Sequence, residues 1–299
     1  MTVAAIAAAA TLLGAGTAHA GQALKVGEDG RAHPVRDRLL PPKAATALPA
    51  HGPTRLLRLS PTARAAAGTL TAAERTEFDT ALRSARTTRD AMAPGTPRDE
   101  LSAVIANAEA LDRSGQLTSS RLAATLMTIR RNKQFWPVNA APAPGTRVIF
   151  TGSPVYLEYY RGEGLQIQPL ANFGKANAAW SACRADGNTT CSKLRGLLDA
   201  MLALASQRGT FTTWEYFFDF EGGVPPWTSG MSQGTGTQAL SRAFTLTGDV
   251  RYRAAASAAI PPFQTAPPVG VAVPATGGTH FLMYSYAPQL SSSTASCRR

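Results

Sequence analysis

Apolar positions between residues 70 and 136 recur at helical spacing and predict three helices. Thr71-x-x-Glu74 is a capping box at the start of the first helix, because each side chain can accept a hydrogen bond from the other residue's free backbone N–H. Pro94 to Pro97 separate the first two helices, and Ser114-Gly115 separate the second and third. The three apolar stripes are Phe78 and Leu82, then Leu101, Val104, Ile105 and Ala108, then Leu122, Leu126 and Ile129.

From Arg147 to Tyr160 the residues are β-branched and aromatic, which predicts strands or an extended hairpin. The aromatic stretch Thr213–Phe220 and the run HFLMYSY within residues 261–287 predict further short strands. Helical spacing returns in four segments, at about 169–182, 192–207, 232–247 and 250–258. Helix pairs joined by short strands and hairpins predict a mainly α fold, an α/α toroid whose inner helices point their N-termini at a central cleft.

The N-terminus has the pattern of an export signal. Residues 3–14 form an apolar run, followed by small residues that fit a cleavage site after Ala20, so residues 1–20 predict a signal peptide. The run is too short to span a bilayer, and no second apolar stretch of membrane length follows. We therefore expect a secreted, periplasmic or cell-envelope protein without a transmembrane span. After the signal we expect a Pro/Ala/Arg-rich linker or arm (21–68), an N-terminal helical region (69–140) and a C-terminal domain (141–291).

The balance of charged residues limits the chemical classes of partner that we expect. The chain of 299 residues has 30 Lys and Arg against 19 Asp and Glu, a formal charge of +11. Such a balance favours an anionic partner such as a uronic-acid polymer, although arginine bias in composition is the alternative. No motif for nucleic-acid or nucleotide binding accompanies the charge, so we expect no nucleic-acid partner. Only four histidines are spread along the chain, which predicts no metal site.

Cysteine usage agrees with export. Cys183 and Cys191 bracket a polar turn between two helical segments and predict a local disulfide in an oxidising compartment. Two free thiols are the alternative. Cys297 is left over near the end of the chain.

Three segments resemble the C-terminal helical domain of the D-glucuronyl C5-epimerase family. The first is YYRGEGLQIQPL from Tyr159 to Leu170, followed by NFGKAN at 172–177. The second runs from Trp227 to Asp249 and follows the family's W-x-S-x-M-x-Q-G…R-A-x-x-L-T-x-D pattern without a gap. The third, Gly277 to Pro288, resembles the strand that carries a catalytic tyrosine. Together they cover about residues 150–290, and residues 21–140 carry no comparable signature.

The resemblance implies epimerisation of glucuronate in a heparan- or heparosan-like polysaccharide. Inversion at C5 removes a proton next to a carboxylate and returns one to the opposite face, so two acid/base groups are needed and a cofactor is not. The match assigns one of these roles to Tyr284; an ordinary strand aromatic is the alternative. A tyrosine can serve if nearby positive charge lowers its pKa, and we expect an arginine-rich cleft to provide that charge. The family's glutamate before this tyrosine is replaced by Met283, which leaves the acid/base set incomplete.

Five residues are candidates for substrate binding. Trp227, Ser229 and Gln233 lie where a helix begins, and free N–H groups there can meet a uronate carboxylate. Capping and core packing are the alternative. Gln166 and Gln168 alternate with apolar residues, so both amides are expected on one side of a strand, facing the cleft.

The last residues do not fit the family. Members continue with V-L-N-G-F and two further catalytic tyrosines, whereas residues 292–299 read SSTASCRR. Codons chosen for VLNGFLQAL encode SSTASCRR and a stop when read one base later. We therefore expect an out-of-frame tail at 292–299 after a one-base shift near codon 291. The toroid (six-hairpin glycosidase-like) would then be incomplete, poorly stable and inactive.

Two other functions remain open. A polysaccharide lyase uses the same proton abstraction at C5, but the group at C4 then leaves. A non-catalytic glycan-binding protein of the envelope is the other alternative, and Met283 is compatible with it.

Overall fold

The computed structural model describes residues 21–42, 68–186, 191–288 and 297–298. Within these ranges the chain forms seven α-helices and a set of short strands, so the prediction of a mainly α fold is confirmed. Closure of the helices into a toroid stays a prediction. The helices are α1 (Ala72–Asp90), α2 (Thr96–Arg113), α3 (Ser119–Phe135), α4 (Pro169–Asp186), α5 (Cys191–Ala203), α6 (Gly230–Thr247) and α7 (Val250–Ala258).

The strands form one larger sheet and three small ones. A five-stranded sheet has the order β2-β1-β3-β4-β5, in which only β1 and β3 are parallel. Its strands are β1 (Gln22–Val26), β2 (Ala32–Arg36), β3 (Arg147–Phe150), β4 (Tyr156–Tyr160) and β5 (Gly164–Ile167). The small sheets contain β6 (Ser206–Arg208) with β7 (Phe211–Thr213), β8 (Glu215–Tyr216) with β9 (Trp227–Thr228), and β10 (Ala272–Ala275), β11 (Gly278–Phe281) and β12 (Cys297–Arg298).

The three predicted N-terminal helices are confirmed as α1, α2 and α3. The capping box is present: the Glu74 N–H donates to the Thr71 hydroxyl over 3.2 Å, and the Thr71 N–H donates to the Glu74 carboxylate over 2.8 Å. The Ser119 hydroxyl at the start of α3 also donates to Glu74, over 2.7 Å. One carboxylate therefore stabilises the starts of two helices.

Residues 21–42 are not a free linker, which corrects the interpretation of 21–68. Strands β1 and β2 form a hairpin, and Leu24 and Val26 pair with Val148 and Phe150 of β3. The hairpin lacked a sequence signal because β2 lies at the sheet edge with no fully buried position, so its residues do not alternate between apolar and polar. Residues 43–67, the rest of the predicted linker, lie outside the described residues.

One hydrophobic core crosses the predicted boundary between residues 140 and 141. A single cluster of buried side chains includes Phe78 of α1, Ile129 of α3, Leu165 of β5, Trp214 before β8 and Leu240 of α6. The three N-terminal helices therefore pack with the C-terminal segment instead of forming a separate cap.

Helices α4 and α6 run parallel, and their N-termini lie at the same end. Phe173 of α4 packs on Gly236 of α6, and further along Arg242 of α6 donates to the Asn177 amide oxygen over 2.9 Å. Gly248, with φ 70°, ends α6 in the left-handed conformation that glycine adopts without strain. The N-terminal ends of α4 and α6 line the cleft described below.

Cys183 and Cys191 form a disulfide between α4 and α5, as predicted, with a Cα–Cα distance of 4.9 Å. No helix in the described ranges has the length and apolarity to cross a membrane. The predicted signal peptide (1–20) and most of the predicted out-of-frame tail (292–296 and 299) lie outside the described residues. Cys297 and Arg298 of that tail form β12, which pairs with β11.

Candidate functional site

A cleft of about 820 Å³ lies at the N-terminal ends of α4 and α6. The turn between β4 and β5, the loop between β8 and β9, and the segment after β11 form its other walls. Four of the predicted site residues line it: Gln168, Trp227, Ser229 and Tyr284.

Aromatic rings form one wall of the cleft. Trp227 stacks face to face on Tyr216, with ring centroids 4.1 Å apart and an interplanar angle of 4°. Tyr284 packs edge-on against Trp227 at 5.3 Å. The Trp227 indole N–H donates to the Phe218 carbonyl over 2.8 Å, which fixes the ring in place. Trp227 and Tyr216 are both buried and cover each other's faces, so they support this wall, while the rings of Phe220 and Tyr284 are only partly buried.

A chain of side-chain hydrogen bonds lies behind this wall. Gln168 donates to the Tyr160 hydroxyl over 2.5 Å, and its amide oxygen accepts from the Tyr216 hydroxyl over 2.9 Å. The Tyr216 hydroxyl also lies 2.7 Å from that of Ser232 on α6. Gln168 thus joins β4, β8 and the start of α4, and it holds the phenols of Tyr160 and Tyr216 in one orientation.

Tyr284 is partly buried and is held against the start of α6. The Gly230 N–H donates to the Met283 carbonyl over 3.2 Å, and the Ser285 N–H donates to the Thr228 carbonyl over 2.9 Å. At Gly230 this approach leaves no room for a side chain, since a Cβ would collide with the Leu282 carbonyl oxygen. Ser229 caps α6 by accepting from the Ser232 N–H over 3.4 Å.

The electrostatics around Tyr284 contradict the expectation of a lowered pKa. Burial, and secondarily the charge of Glu221, raise the pKa of Tyr284 to about 12. The expectation failed because it assumed an arginine-rich cleft. The described lining contains only two arginines, Arg147 and Arg161, against the four carboxylates of Glu158, Glu163, Asp219 and Glu221. The Tyr284 phenol is therefore neutral and can donate a proton or a hydrogen bond.

Two predicted binding residues lie away from the cleft. Gln233 is fully buried, and its amide nitrogen donates to the carbonyls of Thr212 and Ala259 over 2.8 and 3.0 Å. Gln166 is buried beside Val104 and Phe217 and donates to the Glu163 carbonyl. The two glutamines of the QIQ motif separate because β5 ends at Ile167 and the chain turns into α4. The amides of Gln166 and Gln233 therefore bond within the protein, and neither residue is a candidate for substrate binding.

The N-terminal helices shape the cleft, which the sequence did not indicate. Glu100 of α2 is buried and accepts from the Tyr159 hydroxyl over 2.6 Å and from the Gly162 and Gly164 N–H groups over 2.9 and 2.8 Å. These bonds fix the turn that presents Arg161 and Glu163 to the cleft. A lone glutamate on an amphipathic helix carries no sequence signal for such a role.

Other cleft residues were missed although the quoted motifs contain or adjoin them. Tyr160 and Glu163 belong to the first motif, and Tyr216, Phe220 and Glu221 lie just before the second. Within the described ranges, no group of three or more His, Cys, Asp or Glu side chains is arranged to hold a metal ion.

Residues 207–290 match a family model described as D-glucuronyl C5-epimerase C-terminus. The match covers β6 to β11, the α6 helix and Tyr284, so the resemblance found in the sequence is confirmed for this part of the chain. None of the curated proteins matches the chain, and none of the solved structures does.

Proposed function

We propose that this protein acts on glucuronate within a polysaccharide of the heparosan or heparan type, because residues 207–290 match a family model described as D-glucuronyl C5-epimerase C-terminus. The reaction is inversion at C5 by removal and return of a proton. The observation that carries the proposal is the position of Tyr284 inside a cleft that the family-matched segment lines together with residues 41–42 and 144–174. We also propose that α4 to α7 belong to an α/α toroid around this cleft.

The cleft chemistry supports an enolate intermediate. Loss of the C5 proton places negative charge on the uronate carboxylate, and donors aimed at that charge lower the barrier. Arg161 and the neutral phenol of Tyr284 are such donors in the cleft wall. Arg147 contributes less, because its guanidinium already pairs with Glu158 at 3.5 Å.

The carboxylates of the cleft also affect which polysaccharides the cleft can bind. A polyanion entering a lining with more carboxylates than arginines meets repulsion, so the +11 net charge of the whole chain does not describe the site. We therefore propose that the described cleft binds one uronate at the arginines and neutral sugars at the partly exposed rings of Phe220 and Tyr284. Dense sulfation would be disfavoured there.

We propose an exported protein of the cell envelope or exterior. The apolar run at residues 3–14 and the disulfide between Cys183 and Cys191 support this, since structural disulfides persist in oxidising compartments.

The test incubates the purified chain with heparosan in D₂O and follows the polymer by NMR. Deuterium at C5 and the appearance of iduronate, with no iduronate formed by Tyr284→Phe, would support the proposal and would show that the expected inactivity of an incomplete toroid is wrong. An ultraviolet-absorbing unsaturated uronate would instead show lyase chemistry. Saturable binding of heparosan without exchange or cleavage would show a glycan-binding protein and would overturn the catalytic proposal.

A further inference from the structure

Glu221 has an unusual backbone conformation beside Tyr284. Its φ is 51°, and it is the single non-glycine residue with positive φ in the described part of the chain. This left-handed conformation is strained for a residue with a side chain, and it persists where the surroundings impose it. Gly222 and Gly223 follow directly, so the sequence places the strain on the one residue of this turn that carries a carboxylate.

The loop around Glu221 is fixed to the strand segment that carries Tyr284. The Tyr286 hydroxyl donates to the Phe220 carbonyl over 2.7 Å, and the Phe220 ring lies 5.6 Å from the Tyr284 ring. On the other side, the Gly222 N–H donates to the Asp219 carboxylate over 2.7 Å. Both neighbours of residue 221 are therefore held, and its exposed carboxylate lines the cleft within the range at which its charge raises the pKa of Tyr284.

Glu221 is also the lining carboxylate to which the described residues donate no hydrogen bond. Glu158 pairs with Arg147 at 3.5 Å, Glu163 accepts from the Asn107 amide over 2.6 Å, and Asp219 accepts from Gly222. Glu221 has no hydrogen-bond or ion-pair partner among the residues that the structure describes. A general base must have a lone pair available for the proton it takes.

We propose that Glu221 is the general base that removes the C5 proton of glucuronate, and that the uronate ring binds between Glu221 and Tyr284, so that Tyr284 is the acid on the opposite face. This inference rests on the proposed function. One Glu221 oxygen takes the proton, and the electron pair of the C5–H bond moves into an enolate of the uronate carboxylate. The enolate re-forms C5 by taking the phenolic proton of Tyr284. Glu221 then releases its proton to water and the phenolate regains one, so the net change is inversion alone.

The test compares three substitutions at this position by the rate of C5 deuterium incorporation in D₂O. We expect Glu221→Gln and Glu221→Gly to reduce the rate at least about 100-fold, since a general base contributes about 10²–10⁴-fold. We expect Glu221→Asp to retain part of the rate, and formate to restore exchange in Glu221→Gly. Glu28→Gln, which removes an exposed carboxylate outside the cleft, is the matched control and should exchange at the wild-type rate.

Tyr284→Phe separates the two roles. With Glu221 intact we expect the recovered glucuronate to incorporate deuterium while no iduronate forms, because one base on one face can still remove and return a proton. Thermal melts of all variants show whether they fold.

The outcomes distinguish this assignment from the proposed function. If the wild type exchanges C5 protons and a folded Glu221→Gln or Glu221→Gly does so within threefold of it, the assignment of Glu221 is wrong and the proposed function stands. If the wild type neither exchanges nor inverts, the proposed function fails and the assignment fails with it.

Discussion

Glu215 and Glu221 lie on the same short stretch of chain, yet their carboxylates have opposite surroundings. Glu215, in β8, is fully buried and pairs with Arg121 at 2.6 Å and with Arg208 at 2.5 Å. Glu221 is exposed at the cleft and has no such partner in the described part of the protein. Between them in the sequence, Tyr216 stacks on Trp227 in the aromatic wall of the cleft. The comparison distinguishes a carboxylate held in buried ion pairs, which stabilises the fold, from an exposed carboxylate that a substrate can reach.

The buried cluster of Arg121, Arg208 and Glu215 joins distant parts of the chain. Arg121 belongs to α3, and Arg208 in β6 donates further to the carbonyls of Pro226, Pro268 and Val269 over 2.7 to 2.9 Å. The cluster therefore connects the N-terminal helices to the loops that precede β9 and β10. Because both arginines are held by one carboxylate, the cluster depends on the charge of Glu215.

The largest expected effect is on folding stability. Glu215→Gln leaves two buried guanidiniums without a carboxylate, so we expect the free energy of unfolding to fall by about 3–5 kcal/mol. Glu221→Gln is the control and should change it by less than about 0.5 kcal/mol. Urea denaturation followed by circular dichroism measures both. Equal losses in the two variants would contradict the comparison.

Glu215 and Glu221 also differ in how they affect folding stability at low pH. Burial opposes ionisation of Glu215, but Arg121 and Arg208 outweigh it and lower its pKa to about 2. A carboxyl with a lowered folded-state pKa stabilises above its unfolded pKa, near 4.5, and the stabilisation is lost as the pH falls toward 2. We expect a loss of roughly 3 kcal/mol over that window. Stability measured from pH 6 to pH 2 should fall less steeply in Glu215→Gln than in Glu221→Gln, and parallel curves would contradict this.

Periodicity and motif matching predicted the helices and four residues of the cleft lining. The apolar stripes of α1 to α3, the Thr71 capping box and the helix start at Ser229 depend on local sequence, and all are present. The contacts of Glu215 and Glu221 depend on residues distant in sequence. Sequence alone therefore could not show that one carboxylate of this stretch is buried between arginines while the other is free.

The same reason explains the errors at the cleft. Gln233 matched the motif, but its helix turns it toward the carbonyls of Thr212 and Ala259. The raised pKa of Tyr284 depends on burial and on Glu221, neither of which is visible in the spacing of the third motif.

A smaller effect distinguishes Tyr216 from Tyr284, two of the tyrosines that line the cleft. The Tyr216 hydroxyl bonds to Gln168 and Ser232, whereas that of Tyr284 has no hydrogen bond within the described residues. We expect Tyr216→Phe to lower the free energy of unfolding by about 1–2 kcal/mol. Tyr284→Phe should change stability by less than about 0.5 kcal/mol while stopping inversion. Thermal and urea melts of both variants test this, and a strongly destabilised Tyr284→Phe would show that this phenol is structural.

The smallest effect tests whether burial, and not distance, decides the value of an ion pair. Arg130 and Glu77 approach to 2.7 Å, almost the 2.6 Å of Arg121 and Glu215, but their side chains are 55% and 48% exposed. Water screens the exposed pair, so a double-mutant cycle with Arg130→Gln and Glu77→Gln should give a coupling of about 0–1 kcal/mol that decreases with salt. A cycle with Arg121→Gln and Glu215→Gln should give a larger coupling that salt hardly changes. If the two couplings were equal, contact distance alone would set the strength, and the contrast between Glu215 and Glu221 would lose its physical basis.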